Sequence, residues 1–598
     1  MSAPIKTNQL TYTFDKELFS KNYDIFCIRT SEKHFKNGAY IIDTPLLSNN
    51  VCSVLFKSGR EIFVLMKSNG SNKSLLKNAI LKEDGADRIT ISQVTPNSLK
   101  DDIVFQLMLN SLGNYESPLL KFNNLTGHLY CFHPNWLIRG RKSEADVVFK
   151  VPCLELRLSS EFRLNMEVHT FTSELLRNKI EFKKKKFDEY PKYIFSAHNT
   201  LRRKLKDDVG YSFIMRQTKN AKTEIAFLDI QNIDRFNQSK MGILTTVLEN
   251  FNDRFSSIAH LDFESITDYK ALDYTRSVAN ENKQAISDLL SIKPIKIVDC
   301  IDDEYSKIFC KEICDLLLSK YGIKTSCGKR VAKDHLNIRV IHNAAFYADS
   351  DDPHRIFNDV AVQHITFEDF SECSEFAIST VIHEMLIKAD LVKQKISLFD
   401  WNTLGLKDDI DFGIEVTDEQ NTKYIFMTIH PDGTFNISEQ TLNLFEANKY
   451  NQCVEIFENA KMNSVKVHGI IRDALGNINI IKDTEWFTIP EIYSIKAELA
   501  NGNTKLRGKE KRNELLSSCL DIKMFNEGVS EYYFVGTIGN GMRWLINRAA
   551  NIRKIEPFED SILMFEKLLP LMNVTFVHNG QLTIIPFPFK YLREHLNK

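Results

Sequence analysis

The hydrophobic pattern of this chain changes character along its length. In residues 1–165 short apolar runs recur between turn residues: YDIFCIRT (23–30), CSVLF (52–56), EIFVLMK (61–67), GHLYCF (127–132) and DVVFKV (146–151). Runs of this length bounded by Gly, Asn, Ser and Pro predict strands. DDIVFQLMLNSLG (101–113) has the spacing of a helix, and CLELRLSSEFRLNMEVHTFT (153–172) alternates as a half-buried antiparallel hairpin does. A β-rich N-terminal domain over 1–165 is therefore expected, followed by a linker region over 166–290.

From 291 the elements alternate. IKIVDCID (295–302) reads as a strand, DEYSKIFCKEICDLLLSKYG (303–322) as an amphipathic helix closing at a glycine, and HLNIRVIHN (335–343) as a second strand. Strand, helix, strand predicts a parallel βαβ unit. The intervening CGKRVAKDH (327–335) reads as a polar loop. DPHRIFNDVAVQHITFEDF (352–370) leads into a long helix, SEFAISTVIHEMLIKADLVKQ (374–394), with Lys388, Lys393 and Lys395 towards its end. A second α/β block follows. It has strands at 411–416, 423–430 and 433–438, a helix at about 440–460 and a strand VHGIIRD (467–473). A hairpin GNINIIKDTEWFTI (476–489), a strand EYYFVG (531–536) and a final helix-plus-strand at 568–587 complete it.

Composition narrows the chemistry. The 598 residues carry 77 basic and 78 acidic side chains, a net charge of −1. A nucleic-acid site must therefore come from segregated charge rather than from bulk basicity. One segment, 171–206, is basic, with Lys183, Lys184, Lys185, Arg202 and Arg203 interleaved with Phe182, Phe187, Tyr190, Tyr193 and Phe195. It reads either as a nucleic-acid backbone contact with stacking positions or as a solvated lysine face on a linker. Eleven cysteines form no C-x-x-C pair, so no zinc site is expected, and the fifteen histidines are dispersed enough to read as surface or packing residues. There is no apolar leader and no run long enough to span a bilayer, so a cytoplasmic protein without a membrane partner is expected. Walker, H-E-x-x-H and G-x-S-x-G motifs are absent, and GTIGNG (536–541) inverts the dinucleotide glycine pattern.

The stretch GIEVTDEQNTKYIFMTIHPDGTF (413–435) has the form in which an RNase H-type core begins, with an acid on its first strand. A Rossmann-like block, a lysine-bearing helix and then this hairpin resemble the MID and PIWI domains of Argonaute proteins. The resemblance implies an α/β multidomain fold. Its parts would be the β-rich N-terminal half, a linker with a reduced PAZ-like part, a Rossmann-like MID domain over 291–408 and an RNase H-like PIWI domain over 409–598. It implies a guide 5′-phosphate pocket with His354 near the usual tyrosine, Gln363 as the glutamine and Lys388 as the helix lysine. Asn358 falls where a second lysine is usual, so Lys329 or Arg330 is expected to supply that charge.

The same resemblance assigns catalytic positions. Glu415 stands at the first acid position and Asp473, in IIRDALG, at the third. Glu439, Glu446 or Glu455 would be the mobile glutamate, and TIGNGMRW (537–544) offers no acid or histidine for the fourth. Two degenerate positions imply a PIWI site that does not cut, with no cofactor needed for cleavage and a place for Mg²⁺ at the guide 5′ end. The nearest resemblance is to the DNA-defence-module (DdmE-type) Argonautes. That implies a short guide, DNA in that branch, a complementary DNA target and a helicase–nuclease effector partner, in defence against plasmids or phage. The alternatives are an active metal-dependent nuclease using Glu415 and Asp473, and a scaffold for protein contacts only.

Overall fold

The computed structural model describes residues 4–30, 51–58, 61–81, 88–114, 121–123, 127–140, 147–176, 191–195, 201–205, 207–215, 225–272, 286–291, 293–347, 357, 359–368, 375–417, 422–440, 448–502, 522–527, 530–534, 545–546, 549–572 and 585–596. It is a mixed α/β chain rich in strands, and it packs as two units. The first comprises Met1–Thr267, Glu485–Leu520 and Gly536–Ala550. The second comprises Asp268–Thr484, Asp521–Val535 and Asn551–Lys598. Segments of the expected C-terminal domain thus belong with the N-terminal half.

The first unit holds an antiparallel sheet in the order Val51–Ser58, Glu61–Lys67, Tyr23–Thr30, Ile89–Val94. A larger sheet includes Leu129–Phe132, Val148–Leu158 and Leu164–Ser173 as neighbours. The predicted hairpin forms in the register Leu164↔Leu158 to Thr172↔Lys150. Its Leu154, Leu156, Leu158 and Leu164 face one core, while Val151, Cys153 and Phe171 face another. The second face is covered only in part, and Arg157 and Glu167 stay exposed. The Asp101–Asn110 helix is buried on nearly every side. Its two interior amides are satisfied: Asn110 Nδ2 donates to the Val54 carbonyl at 2.7 Å, and Gln106 Oε1 accepts from Leu158 N at 2.7 Å.

The second unit contains a parallel sheet in the order Thr325–Gly328, Ile295–Asp299, Leu336–Ile341, Val362–Thr366. The connecting helix Glu304–Tyr321 begins at a capping box between Asp303 and Ser306 and ends at Gly322, whose φ of 70° needs glycine. Two of the four strands were not expected. Thr325–Gly328 is an edge strand with Ser326 and Cys327 exposed, so it lacks the apolar run that marks a buried strand. Val362–Thr366 was read only as a lead into the next helix.

A second sheet in this unit runs Lys270–Leu272, Ile522–Glu527, Ser530–Phe534, Asn551–Pro557, the strand beginning at Ile478, Val467–Asp473, Ile410–Thr417, Thr422–Ile429, Phe435–Gln440. Helix Asn451–Met462 covers one face through Cys453, Val454 and Phe457. Helix Pro588–Leu596 meets the other, where Phe589 packs on Phe412. Gly413 has a packing reason, because a Cβ there would lie 2.3 Å from the Phe426 ring. Among the described residues no helix is long and apolar enough to cross a membrane.

Candidate nucleic-acid interface

In the second unit, helix Glu375–Lys393 turns Ile378, Ile382, Met385 and Ala389 into the core. Glu384 and Lys388, one turn apart, are left half-buried at its margin. Strand Val362–Thr366 presents Gln363 to them, and Gln363 Nε2 donates to Glu384 Oε2 at 2.7 Å. The C-terminal helix brings Lys590, whose Nζ lies 4.0 Å from Glu384 Oε1 and 3.0 Å from Glu594 Oε1. Gln363, Glu384, Lys388, Lys590 and Glu594 thus form one cluster of two ammonium groups, two carboxylates and an amide.

Two of its atoms lack partners among the described residues. Gln363 Oε1 is buried without a hydrogen bond. The Lys388 ammonium has the charges of Glu594 and Glu384 nearby, but neither reaches ion-pair distance. Burial lowers the Lys388 pKa from its ordinary value, against the pull of those two carboxylates. Burial and the Glu594 charge raise that of Glu384. An unpaired cation beside an unpaired acceptor calls for a ligand that carries both an anionic oxygen and a donor or cation.

Lys329 and Arg330, also expected here, lie elsewhere. Lys329 and Arg330 follow strand Thr325–Gly328, three strand positions from Val362–Thr366, about 14 Å across the sheet. Lys329 pairs there with Asp302, which Lys307 also approaches at 3.5 Å. The second ammonium of the cluster is therefore Lys590, not Lys329 or Arg330. His354 and Asn358 lie outside the described residues. Sequence reading missed Lys590 and Glu594 because the helix that carries them lies far along the chain. Their i, i+4 spacing on an amphipathic helix was the available signal.

The candidate catalytic acids are also separated. Strand Ile410–Thr417 pairs antiparallel with Val467–Asp473, with Ile410 opposite Asp473 and Asp411 opposite Arg472. Glu415 lies five residues beyond Ile410, about 17 Å along the strand, and points to the other face from Asp473. Two ions about 3.5–4 Å apart are not held jointly by carboxylates so placed. Asp473 is instead a turn residue. Its carboxylate accepts from Asn477 N at 2.9 Å and Asn477 Nδ2 at 2.8 Å, ahead of Gly476 at φ 90°. Glu415 accepts from Thr417 Oγ1 at 3.2 Å and lies 3.7 Å from Lys461. Glu439 pairs with Lys423 at 2.9 Å, and Glu455 is exposed on its helix. Glu446 and residues 537–544 lie outside the described residues.

The buried carboxylate of the first strand is Asp411, which the motif-based reading passed over. Its side chain is 3% exposed and accepts from Lys449 at 2.9 Å, Tyr450 at 3.1 Å, Arg472 at 3.2 Å and Thr428. Two cations and two hydroxyls satisfy it, so Asp411 anchors the sheet to helix Asn451–Met462.

In the basic segment, Arg202 makes a bidentate pair with Asp208 at 2.7 and 2.6 Å. Arg203 lies over the Phe56 ring at 5.2 Å. Tyr193 is buried and packs edge-on against Phe171. These two arginines and this tyrosine are engaged within the fold. Lys183, Lys184, Lys185, Phe182, Phe187 and Tyr190 lie outside the described residues.

No family model matches the chain, and no curated protein does. Among solved structures, the crystal structure of Drosophila Piwi is similar at 10% identity and a TM-score of 0.42, covering 99% of this chain and 96% of that one.

Proposed function

We propose that this protein binds a short 5′-phosphorylated guide, holds it for pairing with complementary DNA, and leaves cutting to a helicase–nuclease partner in defence against plasmids or phage. The observation that carries the reading is the Gln363–Glu384–Lys388–Lys590–Glu594 cluster, with its unpaired ammonium and unpaired amide oxygen. A terminal phosphate gives Lys388 the acceptor it lacks. The two carboxylates and the Gln363 oxygen are hard oxygen donors of the kind that hold Mg²⁺ against a phosphate. When bound, that ion offsets the carboxylates' charge at the phosphate. Lys388 and Lys590 supply the remaining positive charge, and Gln363 fixes Glu384.

Support for the absence of cutting comes from Glu415 and Asp473, which occupy opposite ends and opposite faces of their strands. The order of elements supports the guide-directed reading through its resemblance to Argonautes. The test is to recover nucleic acid that co-purifies with the protein and to end-label it with and without phosphatase. Short strands with 5′ phosphates are expected. A protein free of nucleic acid that also fails to retain added 5′-phosphorylated strands would refute the reading and leave a protein scaffold.

A further inference from the structure

Three neighbouring strands of the first unit bring together residues 128, 155, 167 and 169. His128 stands just before strand Leu129–Phe132, Glu155 on Val148–Leu158, and Glu167 and His169 on Leu164–Ser173. The register puts Glu167 directly opposite Glu155, and Glu155 also opposite Tyr130. His128 Nδ1 lies 2.8 Å from Glu155 Oε1, and His169 Nε2 lies 2.8 Å from Glu155 Oε2 and 3.7 Å from Glu167 Oε2. One ligand atom each from Glu155, Glu167 and His169 lies within 4.8 Å of the others.

His169 gives a second, independent observation. It is 7% exposed, and neither ring nitrogen makes a well-directed hydrogen bond among the described residues. Its Nε2 is close to Glu155, but off the line along which a ring N–H donates. A buried imidazole nitrogen aimed among carboxylate oxygens, yet not hydrogen-bonded to them, has the surroundings of a metal ligand. We infer that Glu155, Glu167 and His169 form a binding site for a divalent transition metal, Zn²⁺ first, that staples the two strands carrying them.

The geometry and charge suit that ion. Zn–N and Zn–O bonds of about 2.0–2.1 Å put tetrahedral ligand atoms about 3.3 Å apart, within the range of separations seen here. One imidazole and two carboxylates supply a charge of −2 against the ion's +2. Nitrogen with carboxylate donors favours zinc over Ca²⁺ or Mg²⁺, which take all-oxygen sets. Glu167 is 64% exposed and gives the ion a route in, while Glu155 and His169 hold it from within. The site is independent of the guide pocket, which lies in the other unit.

The test uses full-length protein stripped with a chelator and titrated with Co²⁺, then Zn²⁺. One equivalent of Co²⁺ should bind with a visible ligand-field band and be displaced by Zn²⁺. Glu167→Ala, at an exposed side chain that spares the core, should weaken Co²⁺ binding at least tenfold. His169→Gln should abolish it. Absence of a stoichiometric site in the wild type, or identical binding in the wild type and Glu167→Ala, would overturn the inference.

Discussion

Replacing Lys388 with methionine separates folding from guide recognition. The cluster formally balances two ammonium groups against two carboxylates, so the substitution leaves it at −1. An ammonium about 4 Å from a phosphate charge, at an effective dielectric of 20, is worth about 4 kcal/mol. Glu384 and Glu594 already draw on that charge, so a net loss of about 2–3 kcal/mol is expected, or about 30- to 150-fold in Kd. The folded protein should not suffer. Burial puts the Lys388 pKa below its ordinary value, against the pull of Glu594 and Glu384, so the charged form costs more in the folded chain than in water. That penalty is largest below the lowered pKa and fades to nothing as pH rises past the ordinary value of 10.5. Lys388→Met should therefore melt at the same temperature as the wild type or higher. The assay is competitive binding of 5′-phosphorylated and 5′-hydroxyl strands of one sequence. Loss confined to the phosphorylated strand is expected. Equal loss for both strands, or no loss for either, would refute a phosphate contact at this lysine.

Asp411→Ala should destabilise the second unit by about 3–5 kcal/mol, read by urea denaturation, because Lys449 and Arg472 lose their shared carboxylate. Asp483 supplies a pH signature. Burial would raise its pKa, but His468 and Arg553 outweigh that and bring it down to about 2. A depressed acid contributes stability above its ordinary pKa of 3.8 and loses it as pH falls through about 2. With the carboxylate one-third exposed, that contribution is about 1 kcal/mol after solvent screening. The difference in urea midpoint between wild type and Asp483→Asn should be present at pH 7 and shrink below pH 4. A difference independent of pH would contradict it.

How far the sequence was legible varied with locality. The helix Glu304–Tyr321 announced itself through its apolar stripe and Gly322, both local signals. The hairpin over 153–172 was equally plain because alternation is a local property. Edge strand Thr325–Gly328 was not, since it buries little and so carries little apolar pattern. The candidate sites were hardest, because they are made by pairing. A resemblance singles out Gln363 and Lys388, while Lys590 and Glu594 come from the last helix. The motif drew attention to Glu415, whereas the satisfied buried acid is Asp411, four residues earlier. Cysteine spacing argued against zinc, but the proposed metal ligands are a histidine and two glutamates set side by side only by strand register.

The most direct test of the central claim is a guided cleavage assay. Purified protein is loaded with a 5′-phosphorylated DNA guide and incubated with labelled complementary DNA in Mg²⁺ or Mn²⁺. A guide-dependent complex in which the target stays intact, unchanged by Glu415→Ala, is expected. A cut target in the wild type that Glu415→Ala leaves uncut would contradict it and make Glu415 a working metal ligand.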